Sequence, residues 1–131
     1  MKATYAADHF SNSTLLKFSV PRSTTSASFE YGKQGATNKA LFKEKEKKIE
    51  WDLKKFQGGK EFQLISKLSL DSANATTARK EIGPVSLTFE IPMHSVSHLQ
   101  VKFLKIAAAR GYTPYRWVRY VTHSNSFVCR T

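Results

Sequence analysis

An all-β fold, arranged as an antiparallel β-sandwich, is what this 131-residue sequence predicts. Three observations carry the prediction. About nine short stretches alternate apolar and polar residues at the two-residue period of a strand. Turn-forming residues separate them at the short spacing typical of sandwiches. No segment sustains the 3.6-residue period of an amphipathic helix. An apolar content of 40% is enough for one domain with a core.

In chain order, residues 2–7 and 14–20 read as two strands joined by the polar turn Ser11-Asn12-Ser13. Pro21 and the Ser/Thr run to Ser26 close the second. Residues 27–31 read as a short strand, and 32–38 as a loop holding two glycines. Ile49, Trp51 and Leu53 alternate with Lys48, Glu50, Asp52 and Lys54, the pattern of a half-buried strand. Gly58-Gly59 marks a tight turn. Residues 61–70 alternate with a slip in phase at Ile65, as a bulge or edge would cause. Residues 71–80 are polar and read as an exposed loop. Val85, Leu87, Phe89 and Ile91 form a further strand, closed by Pro92. Leu99, Val101 and Phe103 begin another. Residues 107–111 read as one helical turn or a loop. Residues 115–121 and 126–130 read as the final two strands, joined at His123-Ser124-Asn125.

The formal net charge is +11, which favours an acidic partner. Residues 33–60 hold nine lysines against four acids, and no acid follows Glu90. No apolar run approaches the length of a membrane helix, and no leader-like apolar region follows Met1. The single cysteine, Cys129, reads as a small buried hydrophobe and fits a reducing compartment. His94 and His98 are four apart, but Pro92, Ser95 and Ser97 place them in a loop rather than on a metal-binding helix face. No phosphate-cradling loop or nucleophile with a neighbouring base is visible. We therefore expect neither metal, cofactor nor catalytic residue, and no enzyme. Nucleic acid is not expected, because neither a recognition helix nor an RNA-binding sheet motif is present. A basic β-domain that binds anionic phospholipid or nucleic acid is the alternative reading, resting on Lys43, Lys54, Lys55 and their neighbours.

The run Tyr115-Arg116-Trp117-Val118-Arg119-Tyr120-Val121 is the most informative feature. On a strand, Tyr115, Trp117, Arg119 and Val121 would share one face. A ring beside a guanidinium can stack an aromatic guest, and an edge strand can pair with an extended peptide.

Three ordered groups of residues then converge: Phe42-Lys43-Glu44 with Lys47, Glu50-Trp51, Leu53-Lys54-Lys55 and Gly58-Gly59; Gly83-Pro84-Val85-Ser86 with Phe89-Glu90-Ile91-Pro92, Ser97, Leu99, Val101 and Leu104-Lys105; and Trp117-Val118-Arg119-Tyr120. From about residue 2 to the end the chain resembles the C-terminal, mu homology domain of the medium (mu) subunits of clathrin-adaptor complexes. Residues 115–122 followed by Asn125-Ser126 are most similar to the fourth adaptor complex, which acts at the trans-Golgi network.

The resemblance implies an elongated fold of two sandwich subdomains, one inserted in the other. Residues 1–80 would form most of the inserted subdomain, and 81–131 the last strands of the parent. It implies a module for vesicle-mediated intracellular transport that binds Tyr-x-x-bulky apolar signals in the cytosolic tails of membrane cargo. Its partners would be those peptides, other adaptor subunits and an anionic membrane surface. Its place would be the cytoplasm, peripheral on Golgi, endosomal or coated-pit membranes. Trp117 would line the tyrosine pocket with Arg119 beside it, and Val101, Leu104 and Val118 the pocket for the bulky apolar residue. Lys43 and Lys54 match a phosphoinositide patch in one adaptor type, where Asp52 replaces a basic position. The family's tyrosine pocket also takes an aromatic and an acid from a portion preceding these residues, so this chain would hold part of the site. Open strand edges would follow, and with them strand exchange or dimerisation.

Overall fold

The computed structural model describes the chain except residues 33–37, 72–74, 108–110, 112–113 and 131, and the side chains of 75 and 76. It is all-β with antiparallel pairing throughout. The strands are β1 (Phe10–Ser19), β2 (Thr24–Tyr31), β3 (Lys39–Lys43), β4 (Lys48–Gln57), β5 (Leu64–Leu70), β6 (Val85–Pro92) and β7 (Val121–Cys129), with one helix, α1 (Ala75–Glu81). Five strands form one sheet in the order β3-β4-β1-β6-β7, and β2 and β5 pair as a second.

The alternation in β4 decides the core. Ile49, Trp51, Leu53 and Phe56 are buried, while Lys54 and Lys55 are exposed. Burial of each such side chain contributes about 1.5–3 kcal/mol. Trp51, Leu53 and Phe56 cluster with Ala3, and Tyr5, Leu16, Ala40, Phe62 and Leu64 pack against them. Leu64 belongs to β5, so the second sheet covers the first and makes a two-layer packing. Lys55 takes φ 51°, and this single left-handed residue shifts the inward phase from Leu53 to Phe56. Opposite it, Ser11 and Thr14 are both buried, three apart.

The same slip corrects the sequence reading at Ser11-Asn12-Ser13, which is not a turn but part of β1. The buried hydroxyls satisfy one another there. Thr14 Oγ1 donates to Ser11 Oγ at 2.7 Å, and Ser11 Oγ reaches the Ser13 and Glu90 carbonyls at 2.9 and 3.0 Å. Residues 2–7 are not a strand; they are held by an isolated bridge from Lys2 to Glu61, by backbone bonds of Ala3 to Gly59 and Lys60, and by the Tyr5 hydroxyl on the Phe56 carbonyl of β4. The strand read from residue 27 begins at Thr24, and the one read from residue 61 begins at Leu64. β3 had no counterpart in the sequence reading. Residues 75–80 of the expected polar loop belong to α1. Among its described side chains only Ala78 is buried, so no apolar period announced it. The loop read over 32–38 and the turn read over 107–111 lie largely outside the described residues.

β6 follows its prediction through to Pro92. β7 is continuous through the hairpin turn expected at His123-Ser124-Asn125. The register shifts by one between Leu87 and Phe89, so Asn125 and Ser126 together oppose Thr88. The polar residues mark a β-bulge, closed by Thr88 Oγ1 donating to the Asn125 carbonyl at 3.2 Å. Cys129 is exposed on this edge strand, where the sequence suggested burial.

The largest departure lies between β6 and β7. Residues 99–107 and 114–120 form no strand. Proline offers no N–H to a ladder, so the β6–β7 pairing stops at Pro92 opposite Val121. Met93 then takes φ 55° and turns the chain away. Residues 115–120 are left without a strand partner among the described residues, and the pleat that would sort Trp117 and Arg119 onto one face does not form.

Candidate functional site

Although residues 99–107 and 114–120 are not strands, hydrogen bonds hold them side by side. The Met93 N–H donates to the Tyr120 carbonyl at 2.7 Å. The Val101 N–H donates to the Tyr120 hydroxyl at 2.9 Å. Arg116 Nη1 donates to the Leu104 carbonyl at 3.0 Å. Thr122 Oγ1 donates to the His94 carbonyl at 2.7 Å, just beyond the crossing point. Val101 and Leu104, from one segment, are thus tied to the stretch that carries Trp117, Val118 and Arg119.

All five of these residues face solvent to a large degree. Trp117 is 67% exposed and Val118 39%. A tryptophan left so open contributes little to folding and is free to meet a guest. Arg119 Nη2 lies 3.8 Å from Glu90 Oε1, a long contact between two accessible groups that holds the guanidinium only weakly. Tyr115, Leu99 and Phe103 are exposed nearby in sequence. Tyr120 and Thr122 belong to the C-terminal motif and Met93 follows Pro92, but the part that these three play in tying the segments together was not legible in the sequence. Their roles depend on backbone atoms and on pairings across 19 to 28 residues.

A groove of about 570 Å³ opens on the inward face of the sheet, lined by Leu87, Phe89 and Ile91 of β6, Thr14 and Phe56, and residues 1–6. A smaller cavity of about 240 Å³, lined by His9, Met93, His94, His98 and Tyr120 among others, lies at the end of β6. His94 and His98 sit in the loop that follows β6, as the sequence suggested.

The lysines fall differently. Cross-strand partners share a face, and the pairs Lys43 with Lys48, Lys39 with Asp52, Lys17 with Glu50 and Ser13 with Lys54 place the polar side chains together on the outer face of the large sheet. Lys43 Nζ lies 3.0 Å from Glu50 Oε2, and Lys17 Nζ lies 2.9 Å from Oε1. Hydrogen bonds from Lys17 and then Lys43 hold the Glu50 carboxyl below its usual range, and the Glu50 bond raises Lys43 above its own. Lys43 is therefore engaged within the sheet. Lys54 is exposed six residues further along β4 than Lys48, a separation of about 20 Å along a strand. Lys55 turns out of phase beside it. The three lysines do not form one cluster.

The Adaptor complexes medium subunit family matches residues 1–131. The AP-4 complex subunit mu of Arabidopsis thaliana is 45% identical over 131 residues, covering 99% of this chain and 29% of that protein. The AP-4 complex subunit mu of Dictyostelium discoideum is 36% identical over 149 residues, 93% of this chain and 28% of that protein. The AP-1 complex subunit mu-1-I of Caenorhabditis elegans is 39% identical over 80 residues, 61% of this chain and 19% of that protein. The chain thus spans less than a third of the length of these relatives.

Proposed function

The chain belongs to the Adaptor complexes medium subunit family, and from that premise we propose that it supplies part of the cargo-recognition surface of a vesicle-coat adaptor. The ligand is a Tyr-x-x-bulky apolar signal in an extended cytosolic tail. Trp117 and Arg119 meet the tyrosine ring and hydroxyl, and Val101, Leu104 and Val118 meet the apolar residue. The observation that carries this reading is the bonding of residues 101–104 onto 116–120 through the Tyr120 hydroxyl and Arg116, with Trp117 left open. An exposed ring and guanidinium beside exposed aliphatic side chains suit a guest that is aromatic at one end and apolar at the other.

On this reading the protein acts without catalysis, in the company of other adaptor subunits, on the cytosolic side of Golgi, endosomal or coated-pit membranes. Its division near residue 80 into inserted and parent subdomains belongs to the same proposal. So does an anionic-membrane contact through Lys54 and Lys55, with Lys43 committed to Glu50.

The test is calorimetric titration of a Tyr-x-x-Leu peptide into the full medium subunit carrying these residues. Trp117→Ala is expected to weaken binding by on the order of 30-fold or more. Unchanged affinity in that variant overturns the site. Vesicle co-sedimentation at low and high salt separates this reading from a basic β-domain, whose binding would be strongly salt-dependent.

A further inference from the structure

The segment that carries the proposed peptide site is tied to the N-terminal part of the chain through one histidine. His9 Nδ1 lies 2.7 Å from Asp8 Oδ1, and His9 Nε2 lies 3.1 Å from the Met93 carbonyl oxygen. A carboxylate and a carbonyl are both acceptors, so each bond requires a ring N–H. A neutral imidazole carries only one. Both contacts are made together only by the imidazolium. In the neutral ring the proton retained for Asp8 leaves the Nε2 lone pair facing the Met93 oxygen, which is repulsive.

Met93 is a sensitive place for that change. It holds φ 55°, a left-handed conformation that is unfavourable for a non-glycine residue. Its N–H is the donor to the Tyr120 carbonyl, and the Tyr120 hydroxyl receives the Val101 N–H. The line of contacts therefore runs from Asp8 through His9, Met93 and Tyr120 to Val101.

We propose that His9 is a proton-operated brace, which in its protonated form fixes the Met93 turn and orders the segment bearing Val101 and Leu104. This rests on the reading of that segment as a peptide site and adds regulation to it: the peptide surface is preformed at mildly acidic pH and loosened at alkaline pH. The groups facing His9 are few. Asp8 lies beside it, its own carboxyl held below the usual range chiefly by the His9 bond. His94, with ring centroids 5.2 Å away, opposes it when itself protonated. His98 lines the same cavity, and Tyr5 stands beyond His94 at 6.0 Å. From β4 comes Gln57, whose amide reaches the Ala7 carbonyl. Glu90 and His123 are paired on the other face of the sheet. The sign follows from the geometry: the brace is present where histidine is charged and is lost as pH rises.

Hydrogen exchange of the chain without peptide, at pH 5.5 and 8.0 and corrected for intrinsic rates, reads the brace directly. Residues 93–104 are expected to be about tenfold better protected at the lower pH. His9→Gln can donate to the Met93 carbonyl but cannot titrate, and should abolish the difference; His94→Gln should preserve it. A difference that survives His9→Gln, or its absence in the wild type, overturns the proposal. Should His9→Gln fold poorly, ring and amide NMR shifts of the wild type decide: the Met93 and Val101 amides must follow the titration of His9, and amides that follow His94 or stay flat overturn it. Because no peptide is added, failure here leaves the peptide reading to its own calorimetric test.

Discussion

Replacing Gly58 by alanine tests how the N-terminal segment is held to the sheet. A Cβ at Gly58 would stand closer than 3.0 Å to the carbonyl oxygens of both Ala6 and Tyr5. These are backbone atoms and cannot swing aside, so residues 5–6 must retreat from β4. Three contacts depend on that approach. The Gly58 N–H donates to His9 O at 3.0 Å, the Gly59 N–H donates to Ala3 O at 3.0 Å, and the Tyr5 hydroxyl donates to Phe56 O. At about 1 kcal/mol for each bond lost, Gly58→Ala costs about 3 kcal/mol. Gly59 is the internal control. Nothing lies within 4 Å of a Cβ there, but its φ is +74°, so Gly59→Ala costs about 1–2 kcal/mol from conformation alone. Urea unfolding followed by tryptophan fluorescence measures both. With a slope of about 1.5 kcal/mol/M, Gly58→Ala should lower the midpoint by about 2 M, and Gly59→Ala by about 0.7–1.3 M. A Gly58→Ala midpoint equal to or above that of Gly59→Ala refutes the close-approach reasoning.

The remaining predictions concern the core, the outer face, the site and the edge. Leu53→Ala, at a position with no exposure, should cost about 2–5 kcal/mol in the same assay. Trp117→Ala should change stability by no more than about 0.5 kcal/mol, so that lost peptide binding in this variant cannot be ascribed to unfolding. The Glu50 carboxyl is lowered in the folded state by Lys17 and Lys43. Its stabilisation is therefore full above the ordinary carboxylate range and is lost as pH falls through the lowered folded value; Glu50→Gln should flatten that acid limb of a midpoint-against-pH curve. β7 is an edge strand with no acidic, lysine or arginine side chain between Val121 and Cys129, which favours pairing with a second copy; light scattering should detect a dimer, and a monomer at all concentrations counts against it.

Where residues alternate and bury one face, sequence and structure agree. Ile49, Trp51 and Leu53 declared β4, and Val85 to Ile91 declared β6, because period two is a local property of the chain. α1 was missed because one buried alanine leaves no period to read. Ser11-Asn12-Ser13 and His123-Ser124-Asn125 were mistaken for turns. Their polarity marks, respectively, a buried hydroxyl network and a bulge, and both depend on the partner strand. Trp117, Val118, Arg119, Val101 and Leu104 could be named from motif alone, yet the strand assumed for them did not form, since Pro92 ends the ladder that would have extended it.

The sequence by itself determined the all-β class, the family and the residues on which recognition is proposed to rest. Side-chain alternation and motif order are written along the chain and need no partner to be seen. Only the tertiary structure decided which strands pair, that Lys43 is spent on Glu50 while Lys54 stands about 20 Å further on, and that Tyr120 joins the two segments of the site. It also decided that His9 reaches Met93 across 84 residues. Those are properties of atoms brought together by packing, and no local pattern encodes a hydrogen bond whose acceptor is a distant backbone carbonyl.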